Sequence, residues 1–303
     1  MLEKRTLGKT GFEATALGLG CAHLGNPAKA TDEEAVEAVR QAIDLGINFV
    51  DTSAMYGRGH SERRVGLALQ DGYRDQVFLQ TKAGTHPDRR HDYSAEAIRW
   101  SVENSLDQLK TDYIDSILIH DPRKGEDDPF APGQAWDELL KIKDEGLTGH
   151  IGIGVRSDYW QKVAIETGQA DVVLTPGDYS LLSQTLAKTS WPVAKAHNVG
   201  VIIGSVFCIG LLSGAEPDEE IEKVRYPDRE PRAHAMWQWC EGRGVSLRVL
   251  AMQFCLAAPI ESIVLSGPAN KREVVESFEA ATRVVDEDLW CDFEAEFGVG
   301  IVA

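Results

Sequence analysis

Residues 16–51 read ALGLGCAHLGNPAKATDEEAVEAVRQAIDLGINFVD and hold one strand–helix–strand unit. Ala16–Gly20 is a short apolar run. Thr31, with Glu34 three residues on, forms a capping box that opens a helix. Val36, Val39 and Ile43 make its apolar stripe, and Gly46 ends it. Ile47-Asn48-Phe49-Val50 is the next apolar run, and it closes on Asp51.

Working outward, the alternation repeats. A second helix is predicted from about Ser61 to Leu69, followed by a run at Val77–Thr81. Ser94 caps a third helix with Ile98, Val102, Leu106 and Leu109 on one face, and Tyr113–Ile119 follows. A helix around Trp136, Leu139 and Leu140 ends at Gly146. Ile151–Val155, Val172–Leu174, Val199–Ile203 and Ile263–Leu265 complete the series. Eight strand-like runs alternating with helices predict a (β/α)8 TIM barrel, one domain spanning 1–303. An open doubly wound sheet is the alternative, weakened because no G-x-G-x-x-G follows the first strand. Ahead of the barrel, Gly8-Lys9-Thr10-Gly11 is a turn between two short strands, an N-terminal β-hairpin expected to close the barrel's bottom. Lys124–Asp128 and Glu216–Glu230 are charged stretches expected to be surface excursions.

Composition narrows the class of function. Lys and Arg total 31 against 48 Asp and Glu, a formal net charge of −17, which argues against nucleic-acid and anionic-membrane partners. Five widely spaced cysteines with no C-x-x-C pair predict neither a disulfide framework nor a zinc site. With no apolar leader segment at the start, a cytoplasmic protein is expected. The uncharged run Asn198–Ala215 is broken by glycines and reads as a buried strand and loop.

A barrel gathers its active site at the C-terminal ends of its strands. Here the second run ends in Asp51, the third in Lys82 and the fourth in His120-Asp121, with Tyr56 just after Asp51. Singly, each has an ordinary reading: a turn cap, a solvated strand end, a core histidine, a loop aromatic. Together they make a chemical device. An ammonium beside a phenol stabilises the phenolate and lowers its pKa, and a carboxylate holds the ammonium charged. A histidine can orient and polarise a carbonyl oxygen. Tyr56 then acts as acid/base, Lys82 and Asp51 tune it, and His120 orients a small-molecule carbonyl or sugar substrate.

The run Asn48-Phe49-Val50-Asp51-Thr52-Ser53-Ala54-Met55-Tyr56-Gly57, with Ser61-Glu62 and Gly66 following, resembles the aldo-keto reductase signature. Thr81-Lys82-Ala83-Gly84 and Ile119-His120-Asp121-Pro122 resemble its next two blocks, and the resemblance covers nearly the whole chain. It implies NAD- or NADP-dependent hydride transfer with the tetrad Asp51, Tyr56, Lys82 and His120. Ile119–Pro122, Asp92-Tyr93-Ser94 and Gly204-Ser205-Val206-Phe207 are most similar to the sugar-dehydrogenase branch, which includes D-threo-aldose 1-, L-fucose and L-galactose dehydrogenases, with pyridoxal dehydrogenase nearby. The expected reaction is oxidation of an aldose at C1 to a lactone, with reduction of small aldehydes or ketones as the alternative.

The resemblance also implies a cofactor site. Gly20, Cys21 and Asp51 belong to it at one side, and Ser205, Val206, Phe207 and Leu211 run beside the pyrophosphate. Gly267, Pro268, Ala269 and Asn270 line the adenosine phosphate pocket, with Glu273 and Ser277 on the following helix. Glu273 stands where NADP-using relatives often carry arginine, which implies NAD. Arg156 replaces a common Ser-Asn pair, and Pro176 and Gly204 replace a glutamine and a tyrosine, so Arg156 is a candidate for the nicotinamide grip or for an anionic substrate group. Ala22, Gly84 and Asp121 replace aromatic pocket residues and imply a roomier, polar mouth, with His23 and Asp121 as partners for sugar hydroxyls. Two rivals stay open: a Schiff-base aldolase using Lys82, and a cofactor-binding module without turnover. No His-x-His follows the first strand, so no metal ligands are expected.

Overall fold

Side chains along a strand alternate between its two faces, and here that alternation sorts the core into two clusters. The computed structural model describes residues 2–217 and 229–301. Most of the charged stretch 216–230 therefore lies outside the described residues. β1 (Lys4–Thr6) and β2 (Glu13–Thr15) pair antiparallel around the Gly8–Gly11 turn. Eight parallel strands then close a barrel: β3 (Leu17–Gly20), β4 (Phe49–Asp51), β5 (Phe78–Ala83), β6 (Ile114–His120), β7 (Thr148–Gly154), β8 (Val172–Pro176), β9 (Gly200–Gly204) and β10 (Ser262–Ser266). β10 pairs β3 and shuts the ring.

The larger cluster packs the outer wall of the barrel against the helices and holds Ile117, Ile119, Ile151 and Ile153. The smaller one fills the interior with Phe49, Phe78, Leu118, Val172, Leu174, Ile202, Ile263 and Leu265. Leu7, Phe12 and Ala14 of the hairpin join this inner cluster, so the hairpin plugs one end as expected. The inner faces of three adjacent strands therefore run from apolar to polar: Phe49 to Asp51, Phe78 through Gln80 to Lys82, and Leu118 to His120. The plug closes the apolar end and leaves the polar end as the mouth.

The helices begin as the sequence predicts. Thr31 and Glu34 form both halves of the capping box on Asp32–Asp44, and the Ser94 hydroxyl accepts from Ala97 N at the start of Ala95–Leu109. Observed edges shift by one to three residues from the predicted runs. The largest gain is at the start of β7, which begins at Thr148 rather than Ile151; at the mouth β5 extends through Lys82 to Ala83 and β6 through His120. No helix among the described residues is long and apolar enough to cross a membrane.

Candidate active site

Lys82 and Asp51 are the deepest members of the mouth, 1% and 3% exposed. The Lys82 ammonium donates to both Asp51 carboxylate oxygens and to the Thr52 carbonyl, all at 2.7 Å. Burial alone would push this amine down, but the Asp51 charge and hydrogen bonds more than reverse that, so it is held protonated above its ordinary range. A second donor reaches the same carboxylate: Gln80 Nε2 to Asp51 Oδ1, 2.8 Å.

The Tyr56 ring lies over this ammonium, 4.8 Å from Nζ to the ring centre. The loop that carries it is clamped by short contacts. Gly57 has φ +59, and a Cβ there would lie 1.7 Å from the Gly25 carbonyl oxygen, so only glycine closes this turn. Ser61 Oγ donates to the Cys21 carbonyl at 2.9 Å and bonds Thr52 Oγ1 at 2.8 Å. The phenol corrects one expectation. Burial pushes it above 10, Lys82 pulls it back and Asp51 pushes it up again, and the net direction is up. The lysine does what the sequence implies, but desolvation of the phenolate outweighs it.

His120, 7% exposed, meets the Tyr56 ring edge-on with centres 5.8 Å apart. Its Nδ1 is 2.6 Å from Thr85 Oγ1 and 3.2 Å from Ser53 Oγ. Ser53 Oγ already accepts from Met55 N at 3.2 Å, so its proton is available for Nδ1. Hydroxyl donors on Nδ1 place the imidazole proton on Nε2. Burial and then the Lys82 charge hold the ring far below 6.5, hence neutral. Tyr93 donates to the His120 carbonyl at 2.6 Å and pins the strand end. Asp121, exposed and with φ +46, puts a carboxylate oxygen 3.6 Å from His120 Nε2.

Gly84 has φ +97, and a Cβ there would lie 2.4 Å from the Tyr93 ring, which comes from the following loop and takes the space beside it. His23 Nδ1 meets the Gly267 carbonyl at 2.9 Å. Glu62, from the same signature, is wholly buried behind the wall and accepts from Thr81 Oγ1 at 2.6 Å. Burial pushes its carboxyl up to about 7, against the pull of the Thr81 and Ser105 hydroxyls and the Lys82 charge.

The expected cofactor residues divide into two groups. Cys21, Val206 and Leu211 have buried side chains packed into the outer core, leaving only backbone for a ligand. Ser277, also buried, is spent on Ser266 Oγ and the Glu273 carbonyl, both at 2.7 Å. Ser205, Phe207, Gly267 and Asn270 retain exposure at the rim. The loop after β9 carries three non-glycine residues with positive φ, Ser205, Cys208 and Ile209, a local strain of the kind that clusters at ligand clamps. Space at the mouth suits close approach of a flat ligand, since a Cβ on Gly204 or Gly267 would meet nothing nearer than 3.6 Å. The helix Lys271–Thr282 then opens toward this rim, as a phosphate site requires. These features fit a dinucleotide.

Two further expectations meet local structure. Asn270 Oδ1 accepts from Glu273 N at 3.0 Å, and the Glu273 carboxylate folds back to accept from Ala269 N at 2.8 Å and Asn270 Nδ2 at 3.2 Å. Its charge sits over the helix start, committed to capping. Arg156 is half-buried near Asp178, whose carboxyl burial raises and Arg156 and Arg229 draw back down. Arg229 also bonds the Gly177 carbonyl at 2.7 Å. Arg156 thus belongs to a charge cluster joining the ends of β7 and β8 to the chain beyond β9.

A phenol over a buried ammonium, beside a neutral imidazole at the mouth of a parallel barrel, defines a carbonyl–alcohol oxidoreductase. Residues 16–295 match the Aldo/keto reductase family, and the chain belongs to that family as an NAD(P)-dependent oxidoreductase. It is 33% identical to L-galactose dehydrogenase of Arabidopsis thaliana, over 97% of this chain and 94% of that one. It is 31% identical to D-threo-aldose 1-dehydrogenase of a Pseudomonas species, over 93% and 94%. The holo form of an aldo-keto reductase from Bacillus halodurans shares the fold with a TM-score of 0.81 at 23% identity, over 98% and 96% of the two chains.

Sequence reasoning missed Gln80, Ser53, Thr85 and Tyr93. Gln80 alone carried a signal: it is a polar residue two before Lys82, hence on the same face of an otherwise apolar strand.

Proposed function

We propose that the protein oxidises an aldose at C1 to a lactone, with NAD as its preferred cofactor and Tyr56 as the acid/base. The observation that carries this reading is the stack of Tyr56 over the Asp51–Lys82 pair, 4.8 Å from ring to ammonium. The aldose assignment draws on two relatives whose names state dehydrogenation of a sugar.

A bound nicotinamide would supply the hydride acceptor for C1 in oxidation and the hydride donor in reduction. Arg156, Ser205, Phe207, Gly267 and Asn270 would hold the dinucleotide by side chain or backbone, with Gly20, Cys21, Val206, Leu211, Pro268 and Ala269 offering backbone. His120 donates from Nε2 to the substrate oxygen and fixes which carbon faces inward. Tyr56 takes the C1 hydroxyl proton in oxidation and returns it in reduction. Lys82 holds the phenolate that results. Asp121 and His23 contact the remaining hydroxyls. The Glu273 carboxylate disfavours a 2′-phosphate near the helix start by like charge, which supports NAD. A Schiff base on Lys82 is disfavoured, because the Asp51 carboxylate holds the amine protonated and no lone pair is free to attack.

The test is a screen of aldoses and of aromatic aldehydes against NAD and NADP, read at 340 nm, in wild type and Tyr56→Phe. Aldose-dependent NAD reduction, lowered about 10²-fold or more in the variant with cofactor affinity kept, is expected. Failure of every aldose with good reduction of aromatic aldehydes would refute the sugar assignment. Near-normal kcat in Tyr56→Phe would remove the phenol from the mechanism.

A further inference from the structure

A polar row crosses the inner wall directly below Lys82. Asp51, Gln80 and Ser116 are register partners on β4, β5 and β6, so their side chains share the inner face. All three are buried, at 3%, 0% and 0% exposed. The Gln80 amide is buried with its oxygen unpartnered, and its one hydrogen bond is from the nitrogen to Asp51 Oδ1 at 2.8 Å, so the carboxylate contact is what holds it. The opposite orientation would set an amide oxygen against a carboxylate, two acceptors face to face.

We propose that Gln80 is a positioning residue for proton transfer, locking the Asp51 carboxylate so that Lys82 is held beneath the Tyr56 phenol. The inference rests on the assignment of Tyr56 and Lys82 to proton transfer. Asp51 Oδ1 accepts from both Gln80 and Lys82, while Oδ2 accepts from Lys82. Lys82 grips both oxygens from one side, and the Gln80 amide anchors Oδ1 from the barrel interior, so the carboxylate is fixed by two residues rather than one; a charge-assisted bond of this kind is among the strong ones. Gln80 also offsets part of the Asp51 charge. The groups facing the phenol are Lys82 from β5, Asp51 from β4, and His120 and Asp121 from the end of β6. His120 is neutral, Lys82 favours the phenolate, and Asp51 and Asp121 oppose it. Removing the Gln80 donor therefore strengthens an opposing charge and loosens the helping one. Both effects move phenol ionisation to higher pH.

The experiment compares wild type, Gln80→Leu, Gln80→Glu and Tyr56→Phe as full-length protein. Turnover of L-galactose with NAD is followed from about pH 6 to 11, and tyrosinate absorbance at 295 nm is titrated without cofactor to about pH 12, with Tyr56→Phe subtracted to isolate the phenol. Gln80→Leu should lose about tenfold in kcat with KM within about twofold. The rising limb of its oxidative profile and its tyrosinate midpoint should both move up. In Gln80→Glu the protonated carboxyl replaces the amide donor at low pH, so activity should survive there and fall as the new carboxyl ionises against Asp51. A residue that only supports packing would lower Tm and leave limb and midpoint in place. Should Gln80→Leu not fold, the nearly isosteric Gln80→Glu answers the same question through its pH profile. Wild-type profiles in both Gln80 variants, with Tyr56→Phe inactive, overturn the proposal alone. Wild-type kcat in Tyr56→Phe overturns the assignment on which it rests.

Discussion

Replacing Glu62 with glutamine isolates the cost of a carboxylate sealed behind the catalytic wall. Glu62 is 0% exposed, and burial pushes its carboxyl from 4.5 to about 7. A folded-state pKa above the unfolded one means that the native protein binds the proton more tightly. Its contribution is thus fully present below the unfolded value and is lost as pH rises through 4.5 toward 7. Each tenfold step in ionisation is worth about 1.4 kcal/mol. Wild type should therefore give up about 3 kcal/mol between pH 4 and pH 8 through this one group, a loss that glutamine does not suffer. The amide keeps an acceptor for Thr81 Oγ1, so the geometry survives. Urea unfolding of both proteins from pH 4 to 9 checks this. The variant should match wild type within about 1 kcal/mol at pH 5 and exceed it by about 3 kcal/mol at pH 8. Because every other group cancels in the difference, a stability gap that does not change with pH would refute the reasoning.

Gly84→Ala should destabilise by roughly 1–3 kcal/mol in denaturant unfolding, because it combines a positive φ with a Cβ 2.4 Å from the Tyr93 ring. Adding Tyr93→Ala should restore the steric part and leave the backbone part. Glu273→Arg should raise kcat/KM for NADP relative to NAD, and should lose about 1 kcal/mol of stability with the cap at Ala269; no movement in the cofactor ratio would remove Glu273 as the selector. Since burial holds the Tyr56 phenol above 10, alcohol oxidation, which needs phenolate, should climb from pH 7 to 9 while carbonyl reduction, which needs phenol, stays flat. Parallel initial-rate profiles in the two directions measure this, and a flat oxidative limb would place the proton elsewhere.

The barrel was legible because the wall strands are short apolar runs and several helices between them carry their own start or stop residue. Thr31, Ser94 and Gly46 announce their helix ends locally, so no tertiary information was needed. The tetrad was legible for a related reason: strand ends map to the mouth of any such barrel. What the sequence hid was set by neighbours remote in the chain. The direction of the Tyr56 shift depends on how far the mouth is desolvated, which no local pattern reports. Gly84 reads as empty space until Tyr93 is seen to fill it. That the Glu273 carboxylate folds onto Ala269 N is equally silent in the sequence. Thr85 and Ser53 act on His120 from two different loops, and nothing in either segment marks them.

The central claim is that a hydride leaves C1 of an aldose as Tyr56 takes the hydroxyl proton. The direct measurement uses L-galactose deuterated at C1 with NAD, followed by mass spectrometry of the reduced nucleotide and of the sugar product. The account predicts one deuterium in the nucleotide, a lactone as product, and neither in Tyr56→Phe beyond about one hundredth of the wild-type rate. Reduced nucleotide without deuterium, or a product that is not the C1-oxidised sugar, would contradict it.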